Sequence, residues 1–471
     1  MARALHSFTG RDYTAMLEWL ISEMRSNVPD LTDYNHSSVL YGLLRLFARK
    51  TDLIQLYIDS AFNEGNVSTA RFMQSLIDLG TLVDVKPNLV SPAIATMRLT
   101  RLQGEVGEIS IPEHSMFSRL DGVQYSTVSA TAIAAEDDYV DVQVYQGQYE
   151  EITVLQNEWV TIDYGGRYRY NLGVGVVESS VVMEDSLLNV WERVTSFYRS
   201  QPTDIHYRVD LYADKYNDVA NCCFLTLGDG VYGVDSPPLS ATVTLLRSDG
   251  KSGNTGEDTI TVVVDTDLPV SATNTTIANS GDCVESLESF RARLPRVVQT
   301  QRRGLTRTDY EALIGSIAGI ASCQVIDRST DTQWPYLYAI IYVHPTGGGA
   351  ISQQLETNIL AQCTEWGHLG DWEGRYLLYS ATEVDVDFEI TVGKRSGYLE
   401  NDVTAAIQSA LEDLLEPGNT TVGDALYMSD IVTALNGIAG VAWYSLSSPS
   451  GNVAAVDGSV PVIGTVSVTY A

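Results

Sequence analysis

Between residues 13 and 24 the apolar and aromatic side chains fall at 13, 16, 17, 20, 21 and 24. That i, i+3/i+4 stripe is the signature of an amphipathic helix. Pro29 and the capping residues of "NVPDLTDYN" interrupt it. Residues 37–64 then read as one helix, about 42 Å long at the α-helical rise. Its apolar positions, Leu40, Leu43, Leu44, Phe47, Ile54, Tyr57, Ile58 and Phe62, spread over more than one narrow face. Such a helix must bury two sides, the second against its own domain or against a neighbouring chain. "TARFMQSLIDLG" closes the helical part, with Gly80 placed as a C-terminal cap.

From about residue 93 to 275 the period shortens to two. "AIATMRLT", "VQYSTVSATAIA", "DYVDVQVYQG", "EEITVL", "IHYRVDLYAD" and "SATVTLLRS" are β-branched, alternating and punctuated by Gly, Asp and Pro. An antiparallel β region is predicted, with one domain inserted into another. "GDGVYG" (228–233) superficially resembles a phosphate or calcium loop, but no helix follows it, so it reads as a hairpin turn.

After residue 285 helices and strands alternate. "TDYEALIGSIAGIA" (308–321) and "SDIVTALNGIAGVA" (429–442) align without a gap at an offset of 121, matching Asp309 to Asp430, Gly319 to Gly440 and Ala321 to Ala442. The spelling predicts two similar α/β units in tandem. Gly319 and Gly440 would each end a helix in a left-handed cap, with Ala318 and Ala439 small enough to pack on a sheet. A further helix at 399–416 is expected to stop at Pro417 and Gly418. The fold class is therefore multidomain α+β. The expected domains are a helical oligomerisation domain at 1–90, a β domain at 91–145 plus 224–284, and an inserted β domain at 146–223. A first α/β unit with its arginine-rich linker follows at 285–380, and a second at 381–471.

A chain of 471 residues exceeds a single core. Its net charge of −31 opposes general binding to nucleic acid or to an anionic membrane. "MARALHSFTGRDY" lacks the apolar core of a signal peptide, and no run of eighteen apolar residues offers a span. The five cysteines (222, 223, 283, 323, 363) form no CxxC, and the six histidines are scattered. They read as reduced thiols of a protein built in a cytoplasm, with no zinc spacing.

Candidate chemistry is sparse. "EVDVDFEI" places Glu383, Asp385, Asp387 and Glu389 on one strand face, where four carboxylates could hold a cation or simply face water or a basic partner. No nucleophile elbow, Walker loop, HExxH or dinucleotide fingerprint occurs. No catalytic, cofactor-binding or metal residue is assigned, and no cofactor is expected. One segment opposes the global charge. "FRARLPRVVQTQRRGLTRT" (290–308) carries Arg291, Arg293, Arg296, Arg302, Arg303 and Arg307 and no acid. Lacking interleaved aromatics or a groove helix, it is no nucleic-acid site. It is either an internal clamp on the chain's own acids or a docking surface for an acidic neighbour such as a second copy.

Taken together, the helical start "DLTDYNHSSVLYGLLRLFARK", then "ISIPEHSMF", "LGDGVYGVDSPPLSATVTLLRSDGKSGN", "SGDCVESLESFRARLPRVVQTQRRGLTRTDYEAL" and "YMSDIVTALNGIAGVAW" resemble the baseplate J-like family of phage contractile tails. Leu227 stands where that family suggests Phe, and Ser280 where it suggests a second Gly. Residues 150–220 have little to match in it. The resemblance implies a structural, non-enzymatic wedge component of the virion's tail baseplate, assembled in the host cytoplasm. Its implied partners are itself, as a homodimer within a wedge, other baseplate wedge proteins, and the tail hub and sheath-initiating proteins, with no nucleic acid and no membrane. The implied ring holds the sheath extended and rearranges on triggering. Leu43, Phe47, Ile54, Tyr57 and Phe62, with the six arginines, are the expected interaction residues. The equivalent part of a phage-like injection system fits equally. A cell-wall hydrolase would need a paired-carboxylate or zinc constellation, and an adhesin would be β-rich throughout.

Overall fold

The computed structural model describes residues 12–470 except 84, 162–166, 213–221, 266–267, 302, 305, 328–338, 367–375 and 416–419. Arg302 and the proposed helix stop at Pro417 and Gly418 therefore lie outside the described residues, as does most of the segment tested for a signal peptide. The described residues mix helices and sheets in an α+β arrangement, and they divide into two compact units.

The first unit is helical, made of the chain up to Lys86 together with Ser286–Leu294. Helix α1 (Tyr13–Asn27) starts where the Asp12 carboxylate accepts from Ala15 N at 2.8 Å. Helix α2 (Val39–Glu64) starts where Ser38 Oγ accepts from Tyr41 N at 3.1 Å. Each cap satisfies an N–H that the helix itself leaves unpaired. Met16 and Leu17 of α1 pack on Leu44 and Ala48 of α2, flanked by Tyr13, Leu20 and Tyr41. Gly80 lies inside α3 (Met73–Thr81) and not beyond its end, which corrects the cap reading. A Cβ at Gly80 would stand 2.4 Å from Val85 O and 3.0 Å from the Phe290 ring, so this glycine permits a close approach.

The second unit holds the described residues of 87–211, 222–285 and 295–470. Its six-stranded sheet runs in the order Ile260–Val263, Met116–Arg119, Gln124–Thr127, Tyr139–Gln146, Ile94–Arg101, Val270–Asn274. Met97, Leu99, Phe117, Tyr125 and Val144 fill its core. The eight-stranded sheet runs Gln148–Leu155, Ser240–Arg247, Val182–Asp185, Val190–Arg193, His206–Tyr212, Cys222–Leu227, Tyr168–Gly173, Val160–Thr161. The strands Cys222–Leu227 and Ser240–Arg247 thus belong to the second sheet. The return to the first sheet comes near Ile260, later than the expected 224. These two strands are not neighbours, so "GDGVYG" is a turn but not a hairpin. Asp229 shapes it by accepting from Val231 N and Tyr232 N at 3.1 and 2.7 Å. One pair, Val190–Arg193 with His206–Tyr212, is parallel and not antiparallel as expected.

Helix α4 (Leu287–Thr300) leads to α5 (Arg307–Ile314), strands Ile320–Asp327 and Ala339–Pro345, α6 (Gln353–Trp366) and strand Tyr376–Ser380. Strand Thr382–Lys394, α7 (Glu400–Leu415), α8 (Met428–Asn436) and strands Val441–Ser448 and Ser459–Tyr470 follow. Each set builds a three-stranded sheet with its own core. In both, the central strand has an antiparallel neighbour entered from the repeated corner and a parallel neighbour on the other side. The chain order differs: the corner strand precedes the central strand in the first set and follows it in the second. The corner itself is also corrected. The helices stop at Gly315 and Gly437, both right-handed, and the left-handed Gly319 (φ 86°) and Gly440 (φ 99°) stand directly before the strand.

Candidate assembly surfaces

Along α2 only the side carrying Leu44 and Ala48 is covered by α1. Leu43, Phe47, Ile54, Tyr57 and Phe62 are all exposed, as are Leu46, Leu53, Leu56 and Ile58. Positions 43, 46/47, 53/54 and 57 keep the 3.5-residue spacing of a helix–helix seam, broken only by Lys50. Fully burying such a side chain contributes roughly 1.5–3 kcal/mol. Exposed apolar surface of this extent is uncommon on a lone soluble chain.

The arginine segment divides in two. Arg291 is only 8% exposed. Its Nε donates to Val67 O at 3.1 Å, its Nη2 donates to Ala70 O, and its Nη1 pairs with Glu288. Arg293 donates from Nη2 to Lys86 O at 2.6 Å and lies over the Phe290 ring at 5.3 Å. For these two the internal clamp is what the structure shows, which corrects their place among interaction residues. Besides Glu288, which pairs with Arg291, their targets include backbone carbonyls more than 200 residues away in sequence. Arg296 and Arg303, by contrast, are exposed and make no ion pair with the described residues. Arg307 is exposed and reaches Glu311 Oε1 at 3.6 Å, one turn along α5.

The acidic strand is partly engaged internally. Glu383 accepts from His344 Nε2 at 3.2 Å and from Gly349 N at 2.7 Å. The His344 hydrogen bond, more than the burial that opposes it, holds the Glu383 carboxyl below its usual range. Asp387 accepts from Thr465 N and Oγ1 at 2.8 and 2.5 Å, and is likewise lowered. No group of three metal-ligating side chains occurs among the described residues. None of the five cysteines is in a disulfide, and burial pushes the Cys223 and Cys323 thiols to about 12 and Cys363 to about 11. At those values they stay protonated and poorly nucleophilic near neutral pH. No helix among the described residues is long and apolar enough to cross a membrane.

Ser280, at the position where a glycine was expected, has φ 69° and donates its N–H to Thr346 O at 2.8 Å. Sequence reasoning missed what this residue does: Thr346 N in turn donates to Gly319 O at 2.9 Å, so one loop of the β region holds the first corner. The pairing of an expected Gly with a left-handed φ was the signal that could have found it.

Residues 386–469 match the family model described as Baseplate J-like protein C-terminal domain. The match takes in most of the central strand, α7, α8 and the two flanking strands of the last sheet. Among solved structures, one of the anti-feeding prophage baseplate, six-fold symmetrised, is 12% identical over 97% of this chain and 94% of that one, with a TM-score of 0.35. One of the type VI secretion system TssK-TssF-TssG baseplate subcomplex is 10% identical over 73% and 96%, with a TM-score of 0.33. No curated protein sequence matches the chain.

Proposed function

We propose that this chain, with a Baseplate J-like C-terminal domain over residues 386–469, is a structural wedge component of a contractile-tail baseplate. In this reading it joins other wedge proteins in the ring around the hub, where it holds the sheath extended and rearranges when the tail is triggered. The observation that carries the reading is the family match, which covers most of one sheet-and-helix unit with its own core. The surfaces support it: a long uncovered apolar stripe on α2 and outward-facing arginines suit an assembly subunit. A phage tail and a phage-like injection particle both fall within this function, and the genes flanking its own would separate them.

Self-association through α2 is part of the proposal. Co-expression with the other tail proteins of the same particle should give rings visible by negative-stain microscopy. Leu43→Ser, Phe47→Ser and Tyr57→Ser together should weaken the dimer at least about 100-fold, from the loss of several buried apolar side chains. Rings formed as readily by the triple variant would exclude α2 as the interface. A full chain that never joins the other tail proteins would contradict the function.

A further inference from the structure

The eight-stranded sheet, for which the family resemblance offered no role, carries an apolar tip. Strands Val182–Asp185 and Val190–Arg193 are joined by a tight loop in which Leu188 N donates to Asp185 O at 2.9 Å. Asp185 Oδ1 accepts from Leu187 N at 2.8 Å and from Asn189 N at 3.0 Å, fixing the loop. A three-residue loop of this form normally has Gly at its left-handed position. Here that position is Leu188, with φ 64°. The loop thereby holds two adjacent leucines in water, 79% and 78% exposed. Ser186 N donates to Ser240 O at 3.1 Å, and this brings Leu239, 75% exposed, to the same end of the sheet. On the next strand Leu155 lies opposite Ser240.

The charged side chains bonded to this tip are acidic: Asp185 accepts from Leu187 N and Glu158 from Leu155 N, both at 2.8 Å, with Glu184 on the adjoining strand. The first base along that hairpin is Arg193, at the far end of Val190–Arg193. An anionic bilayer would repel such a rim, and a cationic rim around an apolar surface would attract it. The segment 290–308 is an acid-free basic run in a chain of net charge −31. Its outward part carries exposed Arg296 and Arg303, whose aliphatic stems can lie against leucine while their guanidinium groups meet carboxylates. We propose that the leucine tip docks on this arginine face of a second copy of the chain. The contact is head-to-tail, using two different patches, so it propagates around a ring and does not stop at a pair. It rests on the assembly reading above but uses neither α2 nor the C-terminal domain.

The test is sedimentation velocity of the full chain carrying Leu43→Ser and Phe47→Ser, which removes the α2 contact from the measurement. That chain should still associate with rising concentration, more strongly at low salt. Leu187→Asp with Leu188→Gly should lower the association constant by at least about tenfold. Leu188→Gly alone should leave the fold, read by circular dichroism, unchanged. Arg296→Glu with Arg303→Glu should weaken association similarly. Mixing that chain with one carrying Glu184→Lys should restore part of it, which a merely unfolded variant could not do. A monomer at every soluble concentration, or association indifferent to both surfaces, would overturn the proposal. So would leucine-dependent binding to vesicles of anionic phospholipid. Loss of association by the α2 variants alone would leave the α2 interface standing and sink this one.

Discussion

The two corners that share a spelling are held by different things. At Gly319 a Cβ would come within 2.7 Å of Ser280 O, a backbone atom of the β region. At Gly440 it would meet the Tyr398 ring at 2.8 Å and Val403 Cγ2 at 3.0 Å, side chains of its own α/β unit. Both glycines are left-handed because the chain must turn from helix to strand within a few residues. Only the first is also clamped by a loop from elsewhere, through Ser280 to Thr346 and Thr346 to Gly319. Similar local sequence thus serves two different tertiary tasks. The second corner closes a unit complete in itself, and the first fastens its unit to the β sheets.

The largest effect is expected at the first corner. Gly319→Val incurs backbone strain of about 1–2 kcal/mol and a further 1–3 kcal/mol, roughly, from forcing a side chain against backbone that has little room to shift. Hydrogen exchange should show lost protection in both the strand Ile320–Asp327 and the Ser280 loop. Gly440→Val carries the same strain, but Tyr398 is half-exposed at 43% and can swing away. Its loss should be smaller, about 2–3 kcal/mol, and confined to peptides of 382–470. Asn at each position sharpens the contrast. It relieves the strain, since Asn visits the left-handed region readily, but not the clash. Asn should therefore rescue most of the Val effect at 440 and little of it at 319, as read by thermal unfolding. Equal rescue at both would erase the distinction.

The smallest effect concerns Glu383, which links the central strand of the second α/β set to His344 and Gly349 of the first α/β set. Its folded pKa is depressed, mainly by the His344 hydrogen bond. Its contribution is therefore complete above the ordinary carboxylate value near 4.3 and fades as pH falls through the lower folded value. Glu383→Gln should cost about 1 kcal/mol at pH 7, since a charge-assisted bond is weakened by partial exposure. It should also flatten the acid limb of stability below about pH 4.5. An unchanged acid limb would show that another group governs it.

Local features were legible in the sequence, and non-local ones were not. The stripe of α2 and the left-handed conformation of Gly319 and Gly440 follow from spacing and residue type, although the helices are capped earlier, at Gly315 and Gly437. The partition of the β region failed because strand alternation reveals a buried face but not the pairing partner. Ser240–Arg247 alternates as any half-buried strand does, yet it pairs with residues 148–155 and 182–185. Composition exposed the arginine cluster but not the direction of each side chain. The helical period sends Arg291 inward, to the carbonyls of Val67 and Ala70, and leaves Arg296 outside. Leu188 was invisible because nothing in "EDSLLN" announces a left-handed residue.

If this chain is a building block of a contractile-tail baseplate, it must be found there in the intact particle. An epitope tag placed in a surface loop such as 448–452, gold-labelled and imaged on intact particles, reports its place. Label is expected at the baseplate end of the tail, in a ring around the hub, on extended particles. Label along the tube, on the fibres, or only on unassembled protein would contradict it.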